Sequence, residues 1–528
     1  MKKCLLISFI LIQLASCTSV KTYNAQISKQ HSVEALQSDI DKLFKQLQKH
    51  HPKLYQYTPE QDLKFKFDSL KNAIKTPMNS RAFYKKLAPV VASVRQGHVS
   101  VGSAGKRFKK KERKELIKRK FEFYKLDFEY LNNKLWIKAN RGKDSTLVGC
   151  EVVSIDGETA QDLTERFKTR FASDGYNTTL HNRYVSKGFT TFYYKDKGFV
   201  DSLKIEFRKN DSLFTKTLRR IAKKDTRKLK IPKDSLKKIK PKKLTKSEKQ
   251  QRRLAKRKRR KDNRKYGYIA SKKQYTRKFS LIGKDSSVAY MKIRGFSNGN
   301  YKRFYKESFA LMDSLKTENF ILDLRDNGGG RIAEIDKLYS YLTDKEYRFI
   351  LESEVNSRAP FFKMIMSNTT PNSLKVLGGV VSPLIYMHNV LHTKKRNGKY
   401  YYSFGESKVQ KPNPLNYKGN MYVLINGNSF SASSLISTHL KATNRATFVG
   451  EETGGAYNGC VAGIYKIYRL PETRLRVRMG LMQIEAPYRQ EPDGYGIKPD
   501  VEILPTIKDR QEGKDPELDW VLNKLGKT

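Results

Sequence analysis

The stretch Met421-Tyr-Val-Leu-Ile-Asn-Gly-Asn-Ser-Phe-Ser-Ala-Ser-Ser434 decides the fold, because it joins an apolar run to a turn and a Ser-rich helix start. A second stretch, Phe320-Ile-Leu-Asp-Leu-Arg-Asp-Asn-Gly-Gly-Gly330, has the same order of apolar run and tight loop. Short apolar runs bounded by turn residues are typical of buried strands, and helical spacing follows both loops. Alternating strands and helices favour a sheet with helices packed on it. The sequence therefore predicts an α/β domain in its C-terminal half.

The residues upstream of this domain fall into segments of different pattern. Ser32–Val94 has helical spacing of its apolar residues, whereas 121–207 contains short strand-like runs and a tight-turn signal at Asp156-Gly157. The β-rich part is similar to a PDZ-like module, whose sheet edge can capture an extended peptide. A chain of 528 residues is long enough for several domains. We predict a signal peptide (1–16), a tether (17–30), an N-terminal helical domain (31–115), a PDZ-like domain (116–215), a basic insertion (216–280) and the α/β core (281–528).

The N-terminus has the pattern of a targeting segment. Lys2 and Lys3 precede a short apolar run that ends in Leu14-Ala-Ser-Cys17. The run is too short to span a bilayer, and small residues before its end suit a signal peptidase. The ending resembles the bacterial lipobox, which implies lipidation of Cys17 and a location in the cell envelope. We expect a periplasm-facing anchor, in the outer rather than the inner membrane. The alternative is an ordinary signal peptide with an incidental Cys.

The formal net charge of +55 is unevenly distributed along the chain. Residues 221–280 hold 27 Lys or Arg against 4 Asp or Glu, a net charge of +23 in this segment. A block of this kind can be a solvated insertion, or it can bind anionic lipid or an acidic envelope polymer. Nucleic acid is the least favoured partner, because interleaved aromatic residues are missing over most of the segment.

Cysteine and histidine usage argues against a metal or redox cofactor. Besides Cys4 and Cys17 the chain has Cys150 and Cys460, whose pairing the sequence leaves open. No Cys or His cluster has the spacing of metal ligands, so we expect neither a metal site nor another cofactor.

The role of Ser431 is ambiguous when this residue is considered alone. A Ser at a helix start usually caps a free backbone amide. It can also be a nucleophile, since free amides and the positive helix end stabilise a developing oxyanion. The glycines of 328–330 let the backbone approach a ligand closely, but Gly runs also occur in ordinary turns.

Taken together and in order, the motifs resemble those of the C-terminal processing (tail-specific) serine peptidases and their tricorn-core relatives. The matching pieces are Asp323–Gly330, Ser431-Ala-Ser433, Val449–Gly455, Leu470-Pro471 and Gly494–Asp500. The resemblance implies a core of the ClpP/crotonase-like kind, with Ser431 as the nucleophile that attacks a peptide bond. It also implies an oxyanion hole built from the amides of Ala432 and of Gly328 or Gly329.

The sequence departs from the tail-specific branch at the general base. That branch has a Lys 25 residues after the nucleophile, and this chain has Ala456 there. The tricorn-like branch uses a His, which the resemblance places at His98 in a Gly-His motif. Its acid falls on Asp493, with Glu491 as the alternative. The branch's Ser before the His is replaced by Gly97.

Other histidines fit the role of base less well. His388 and His439 lack the motif context, and His439 follows Ser431 by about two helical turns. The sequence therefore leaves two functions open. The first is an exported serine peptidase, endopeptidase or tail-specific, that cleaves protein or peptide substrates through an acyl-enzyme. The second is an inactive peptide-binding scaffold on the same fold.

Overall fold

A computed structural model of the chain describes residues 19–142, 144–222 and 245–527. The predicted signal peptide, the lipidation site Cys17 and residues 223–244 of the basic insertion lie outside the described residues. The predicted tether is described from Ser19 onward, and Val20–Ser28 within it form a helix.

The chain alternates helices and strands in a mixed α/β fold, as the sequence predicts. The α-helices are α1 (Val20–Ser28), α2 (Val33–His50), α3 (Glu60–Ala73), α4 (Ser80–Ala92), α5 (Lys110–Lys118), α6 (Ala160–Lys168), α7 (Thr179–Lys197), α8 (Lys246–Tyr266), α9 (Tyr301–Ser314), α10 (Ile332–Tyr339), α11 (Pro360–Ile365), α12 (Asn372–His392), α13 (Ala432–Ala442), α14 (Ile507–Glu512) and α15 (Pro516–Lys524). The strands are β1 (Ser100–Gly102), β2 (Arg119–Phe121), β3 (Leu126–Leu131), β4 (Lys134–Asn140), β5 (Glu151–Ile155), β6 (Glu158–Thr159), β7 (Ser202–Lys209), β8 (Ser212–Ala222), β9 (Tyr268–Ile269), β10 (Gln274–Tyr275), β11 (Arg277–Ile282), β12 (Val288–Ile293), β13 (Asn319–Asp323), β14 (Tyr347–Arg348), β15 (Ser353–Val355), β16 (Thr393–Arg396), β17 (Lys399–Tyr402), β18 (Val409–Gln410), β19 (Asn420–Ile425), β20 (Thr447–Gly450), β21 (Cys460–Arg469), β22 (Arg476–Ile484) and β23 (Val501–Glu502).

The C-terminal half is organised around a six-stranded sheet with the order β11-β12-β13-β19-β20-β23. All neighbours from β12 to β23 are parallel, and β11 joins the edge antiparallel to β12. Residues of α9, α10 and α13 contribute to a large apolar core together with strand residues, and Val521 of α15 belongs to a second cluster. Because β13 and β19 are parallel neighbours, the loops that follow them meet at one edge of the sheet.

A three-stranded antiparallel sheet, with the order β1-β22-β21, connects the N-terminal region to this core. Strand β1 pairs with β22 so that Ser100 lies opposite Arg478. Buried residues of the N-terminal helices, of β22 and of the turn before it form one apolar cluster, which includes Leu470 and Met479. The segment before β1 is thereby held against the C-terminal half of the chain.

The β-rich segment forms its own sheet with the order β2-β8-β7-β5-β4-β3, and β6 pairs with β5. Helices α6 and α7 contribute buried residues to its core, and Phe430, next to Ser431, belongs to the same apolar cluster. The likeness to a PDZ module stays a prediction. The described part of the basic insertion includes α8, which has no buried residue and begins with a capping box of Thr245 and Glu248. No helix in the described ranges is both long and apolar enough to cross a membrane.

Candidate active site

Ser431 occupies a strained turn between β19 and α13. Its backbone has φ 58° and ψ −117°, a conformation that non-glycine residues rarely adopt. Although Ser431 holds the N-cap position of α13, its side chain makes no capping hydrogen bond. Strain of this kind persists where the surroundings enforce it, and it is found at functional sites. The turn directs the hydroxyl away from the helix that it begins.

The hydroxyl of Ser431 lies against His98. The Ser431 Oγ is 3.0 Å from His98 Nε2, although 333 positions separate the two residues in the chain. The pairing of β1 with β22 places the His98 segment, and the ring also lies 5.1 Å from the ring of Phe430, centroid to centroid. The structure therefore brings together the nucleophile and the base that the sequence proposes.

His98 is an uncharged imidazole in this environment. Burial lowers its pKa to about 3, and the positive charge of Arg478 acts in the same direction. The Tyr465 hydroxyl lies 3.5 Å from His98 Nδ1, on the side of the ring opposite Ser431. Arg478 in turn stacks on the face of the Tyr465 ring at 3.7 Å. A neutral imidazole can accept a proton from a hydroxyl, as a general base must.

Asp493, the acid proposed from the sequence, does not hydrogen-bond to His98. Its carboxylate accepts hydrogen bonds from Gln56 Nε2 at 2.9 Å and from Asn458 Nδ2 at 3.0 Å. Gln56 Oε1 accepts from Gln96 Nε2 at 3.1 Å, so the connection to the His98 loop runs through two amide side chains. The alternative acid, Glu491, accepts a bond from the backbone amide of Asp493 at 3.2 Å.

Asp174 is a buried acid that the sequence interpretation missed. It lines the same cavity as Ser431, and its Oδ1 accepts a hydrogen bond at 2.8 Å from the amide of Gly97, next to His98. Its Oδ2 is buried and has no hydrogen-bond partner among the described residues. Burial raises the Asp174 pKa to about 7, against the opposing effect of the Gly97 and Ala456 amides. An Asp in a loop carries no sequence signal for this placement, which tertiary packing determines.

Tyr465 was also missed, for the same reason. It is one of many tyrosines in the chain, and its place on β21 gives no hint that its hydroxyl approaches a histidine.

The Gly-rich loop is bound to the Ser431 turn through backbone and side-chain contacts. The Phe430 amide donates to the Asn327 carbonyl at 3.0 Å, and Asn428 Nδ2 donates to Asp326 Oδ1 at 2.8 Å. Gly329 has φ +95°, and a Cβ there would lie 2.8 Å from the Ala432 nitrogen. A glycine is therefore required at 329 by both conformation and space.

Two amides at this junction are candidates for an oxyanion hole. The Gly329 amide is engaged, because it donates to Asn327 Oδ1 at 2.9 Å. The amides of Gly328 and Ala432 make no hydrogen bond to any other described residue. Of the two glycines proposed from the sequence, the geometry thus favours Gly328.

An ion-pair network anchors the strand that carries the Gly-rich loop. Arg325 contacts Asp323, Asp515 and Glu517, and Lys292 Nζ lies 2.7 Å from Asp323 Oδ1. Although burial acts to raise the Asp323 pKa, the charges of Lys292 and Arg325 hold it well below its usual range. A buried network of charged groups rigidifies its surroundings when its members have partners.

A cavity of about 400 Å³ opens beside Ser431. Its walls are largely apolar, and they include Phe361, Phe404, Leu435, Ile464 and Ile484. Ala456, at the position where the tail-specific branch has its Lys, also faces this cavity. A cavity with apolar walls and a few polar groups at one end is the usual form of a binding site for an apolar group.

The remaining sequence candidates lie elsewhere. His439 is buried and its Nε2 is 2.7 Å from the Phe349 carbonyl, while His388 stacks on His392 of the same helix. Cys150 and Cys460 are both free thiols, and Cys460 lines the cavity beside Ser431. In the described ranges no three His, Cys, Asp or Glu side chains are grouped so that they could hold a metal ion.

Comparisons with known proteins identify a family match for part of the chain and a similar overall fold. Residues 287–503 match the model of Peptidase family S41. Mature CPAF is similar in structure, with a TM-score of 0.58 and 15% sequence identity over 93% of this chain and 96% of that chain. The structure of mature CPAF complexed with lactacystin gives a TM-score of 0.59 at 15% identity, covering 93% of this chain and 97% of the other. No curated protein matches the sequence. The chain thus contains a domain that matches Peptidase family S41, and it shares its overall fold with mature CPAF.

Proposed function

We propose that this protein is a serine peptidase in which Ser431 is the nucleophile and His98 the general base. The observation that carries the proposal is the 3.0 Å separation between Ser431 Oγ and His98 Nε2. A free serine hydroxyl is scarcely nucleophilic near neutral pH, so an adjacent base is a requirement of the chemistry. Ala456 cannot accept a proton, and His98 is the base within reach among the described residues.

The first step follows from this geometry. As Ser431 Oγ attacks the peptide carbonyl carbon, its proton passes to His98 Nε2, and the carbonyl oxygen becomes an oxyanion. The amides of Ala432 and Gly328, which make no hydrogen bond to other described residues, would donate to that oxygen. His98 then gives the proton to the leaving amine, and the C–N bond breaks to leave an acyl-enzyme. Water, deprotonated by the same imidazole, hydrolyses the ester and restores Ser431.

The imidazolium that forms transiently needs a partner at Nδ1. Tyr465 Oη can accept a hydrogen bond from that nitrogen and so hold the ring in the tautomer that exposes Nε2 to Ser431. Asp174 would supply negative charge near the same loop whenever it is ionised. Asp493 acts at a greater distance, by holding the loop through Gln56.

The apolar cavity favours substrates with an apolar side chain next to the bond that is cleaved. Phe361, Phe404 and Ile484 would contact such a side chain, whereas a charged one would lose its hydration there without compensation. Unfolded proteins and peptides present such segments in extended form. The separate β-rich module, if it is PDZ-like, would hold another part of the same chain.

Replacing Ser431 with Ala tests the assignment. Hydrolysis of an unfolded protein or of an apolar fluorogenic peptide should fall by at least about 10³-fold, since removal of a serine nucleophile has effects of this order or larger. Ser433→Ala is the matched control, because the Ser433 hydroxyl is buried in the same helix and has no hydrogen-bond partner in the described structure. Equal turnover by wild type and Ser431→Ala would remove Ser431 from the mechanism.

A second candidate function is an inactive peptide-binding scaffold. It is favoured by the absence of a carboxylate on His98 Nδ1, where Tyr465 lies instead in the described structure, and by Ala456 in place of the Lys. Labelling by a serine-directed fluorophosphonate separates the two functions. An active peptidase should be labelled at Ser431, and His98→Ala should abolish the labelling. A folded wild-type protein that stays unlabelled yet binds the peptide would establish the scaffold.

We also propose that the protein is exported and held at the membrane by a lipid on Cys17. The proposal rests on the sequence pattern around Leu14-Ala-Ser-Cys17. Metabolic labelling with a fatty-acid analogue should mark wild type and not Cys17→Ala, and the latter should move to the soluble fraction. The exposed cations of α8 suit an acidic envelope polymer or anionic lipid as partner of the basic insertion. Unaltered retention on such a polymer after replacement of the Lys and Arg residues of 223–261 by Gln would argue against that role.

A further inference from the structure

Helix α12 exposes an apolar face that nothing in the described structure covers. Val376, Leu384, Met387 and Leu391 have 53, 66, 55 and 70% of their surface exposed. The spacing of Leu384, Met387 and Leu391 puts them on one side of the helix. Single exposed apolar residues are ordinary on protein surfaces, but a contiguous set marks a surface that binds something.

The sequence around this face has an excess of positive charge, although Arg396 and Lys399 pair with Glu352 and Glu354. Between Glu354 and Glu406 the sequence contains seven Lys or Arg and no Asp or Glu. Lys394 and Lys395 follow α12 directly, on the exposed hairpin of β16 and β17. Neither of them forms an ion pair with another residue in the described ranges. The hairpin packs against the end of α12, where the ring of His392 lies 6.0 Å from the Tyr402 ring, centroid to centroid.

The same helix contacts the wall of the candidate active site. Phe361 of α11 lines the cavity beside Ser431, and it also lines a groove with Leu384 and Ile385 of α12. Its backbone amide donates to Asn389 Oδ1 at 3.1 Å, which fastens α11 to α12. Whatever binds the outer face of α12 therefore lies one layer of side chains away from the cavity.

We propose that α12 and the β16–β17 hairpin form a docking surface for the interface of an anionic phospholipid bilayer. An apolar helix face flanked by lysines is the pattern of a helix that lies in the plane of the interface, with apolar side chains among the acyl chains and cations at the phosphates. A second copy of this chain fits the surface less well, because it would bring together Lys394 and Lys395 of the two copies, which are unpaired among the described residues. The surface orients the cavity toward substrates at the membrane.

Vesicle binding tests the proposal. A chain that begins at Thr18 keeps every described residue and lacks Cys17, so neither a lipid nor the signal segment contributes. Co-sedimentation with vesicles of phosphatidylcholine containing phosphatidylglycerol should be about 10-fold or more stronger for this chain than for its Leu384→Glu/Met387→Glu/Leu391→Glu variant. The matched control is Phe65→Glu/Leu315→Glu/Leu504→Glu, which adds the same charge at other exposed apolar positions and should bind like wild type.

A positional probe separates α12 from the cationic helix α8, whose charge alone would attract it to anionic surfaces. The chain's other thiols, Cys150 and Cys460, are buried, so an environment-sensitive fluorophore can be placed on Met387→Cys or, as control, on Leu504→Cys. We expect a blue shift with these vesicles at position 387 and none at 504.

Three results would overturn the proposal. The first is that both triple variants bind vesicles equally well. The second is that the labelled protein binds vesicles without a blue shift at position 387. The third is that wild type forms a concentration-dependent dimer, which the α12 variant no longer forms although its vesicle binding is unaltered. Cleavage of a soluble peptide should be the same in the α12 variant and wild type, because these side chains do not line the cavity beside Ser431. The outcome is thus independent of whether Ser431 proves to be the nucleophile.

Discussion

The buried carboxyl of Asp174 should destabilise the protein as the pH rises, and Asp174→Asn should remove that effect. In the folded protein its pKa is raised to about 7 by burial, against an ordinary value of 3.8. Between these two pH values the folded state keeps the proton that the unfolded state has released. Stability therefore falls as the pH rises through this window, and the loss is complete above about pH 7.

The size of the effect follows from the pKa. A rise from 3.8 to about 7, at 1.36 kcal/mol for each pKa unit, corresponds to about 4 kcal/mol. Asparagine has nearly the same shape and does not ionise, and its carbonyl oxygen can still accept the Gly97 amide. The free energy of unfolding of Asp174→Asn minus that of wild type should therefore increase by about 4 kcal/mol between about pH 4 and pH 8.

Urea unfolding followed by circular dichroism across this pH range measures the difference. Asp326→Asn is the control. Burial acts to raise the pKa of Asp326, but the Asn428 hydrogen bond and the charge of Lys292 outweigh it and lower the pKa to about 2. The Asp326→Asn difference should therefore be flat from about pH 5 to 8 and change only in more acidic solution. A flat Asp174→Asn difference, or one that decreases with pH, would refute the reasoning.

Three further predictions concern the site. Gly329→Ala should reduce kcat/KM by at least about 10²-fold in a fluorogenic peptide assay. The added Cβ would lie 2.8 Å from the Ala432 nitrogen, and the backbone has φ +95°. Full activity of this variant would contradict the close packing. Tyr465→Phe should lower kcat by about 10-fold without changing KM, since it removes the hydroxyl next to His98 Nδ1. A change in KM alone would indicate that Tyr465 contacts the substrate instead. Asp493→Asn should reduce kcat by less than about 10²-fold, because the Asp493 carboxylate accepts hydrogen bonds from neutral amides and not from the imidazole. A reduction as large as that of His98→Ala would show that Asp493 acts directly on His98.

The sequence predicted those parts of the fold that depend on residues close together in the chain. Apolar runs bounded by Gly-containing turns predicted the buried strands β13 and β19, and both occur with the expected helices after them. The mixed α/β fold is confirmed. Such strands and helices depend on patterns that repeat within a few residues, and these patterns can be read from one sequence without an alignment.

The sequence predicted only some residues of the candidate site. Ser431 and His98 stand in ordered motifs, and the structure places their side chains within hydrogen-bond distance. Asp174 and Tyr465 stand in no motif, and they reach the site through contacts made across the fold. The acid expected at Asp493 shows the same limit, because the sequence cannot tell that Gln56 and Gln96 lie between it and the histidine loop.

The pairing of β1 with β22 also determines when, during synthesis, His98 can be brought to Ser431. His98 is synthesised early, but it is held in place by a strand that ends at Ile484, and 333 positions separate it from Ser431. A nascent chain therefore carries its imidazole for most of its synthesis before the partner strand exists. The Ser431–His98 pair can therefore form only late in synthesis, and truncated chains that stop short of β22 should lack it even when they contain both residues.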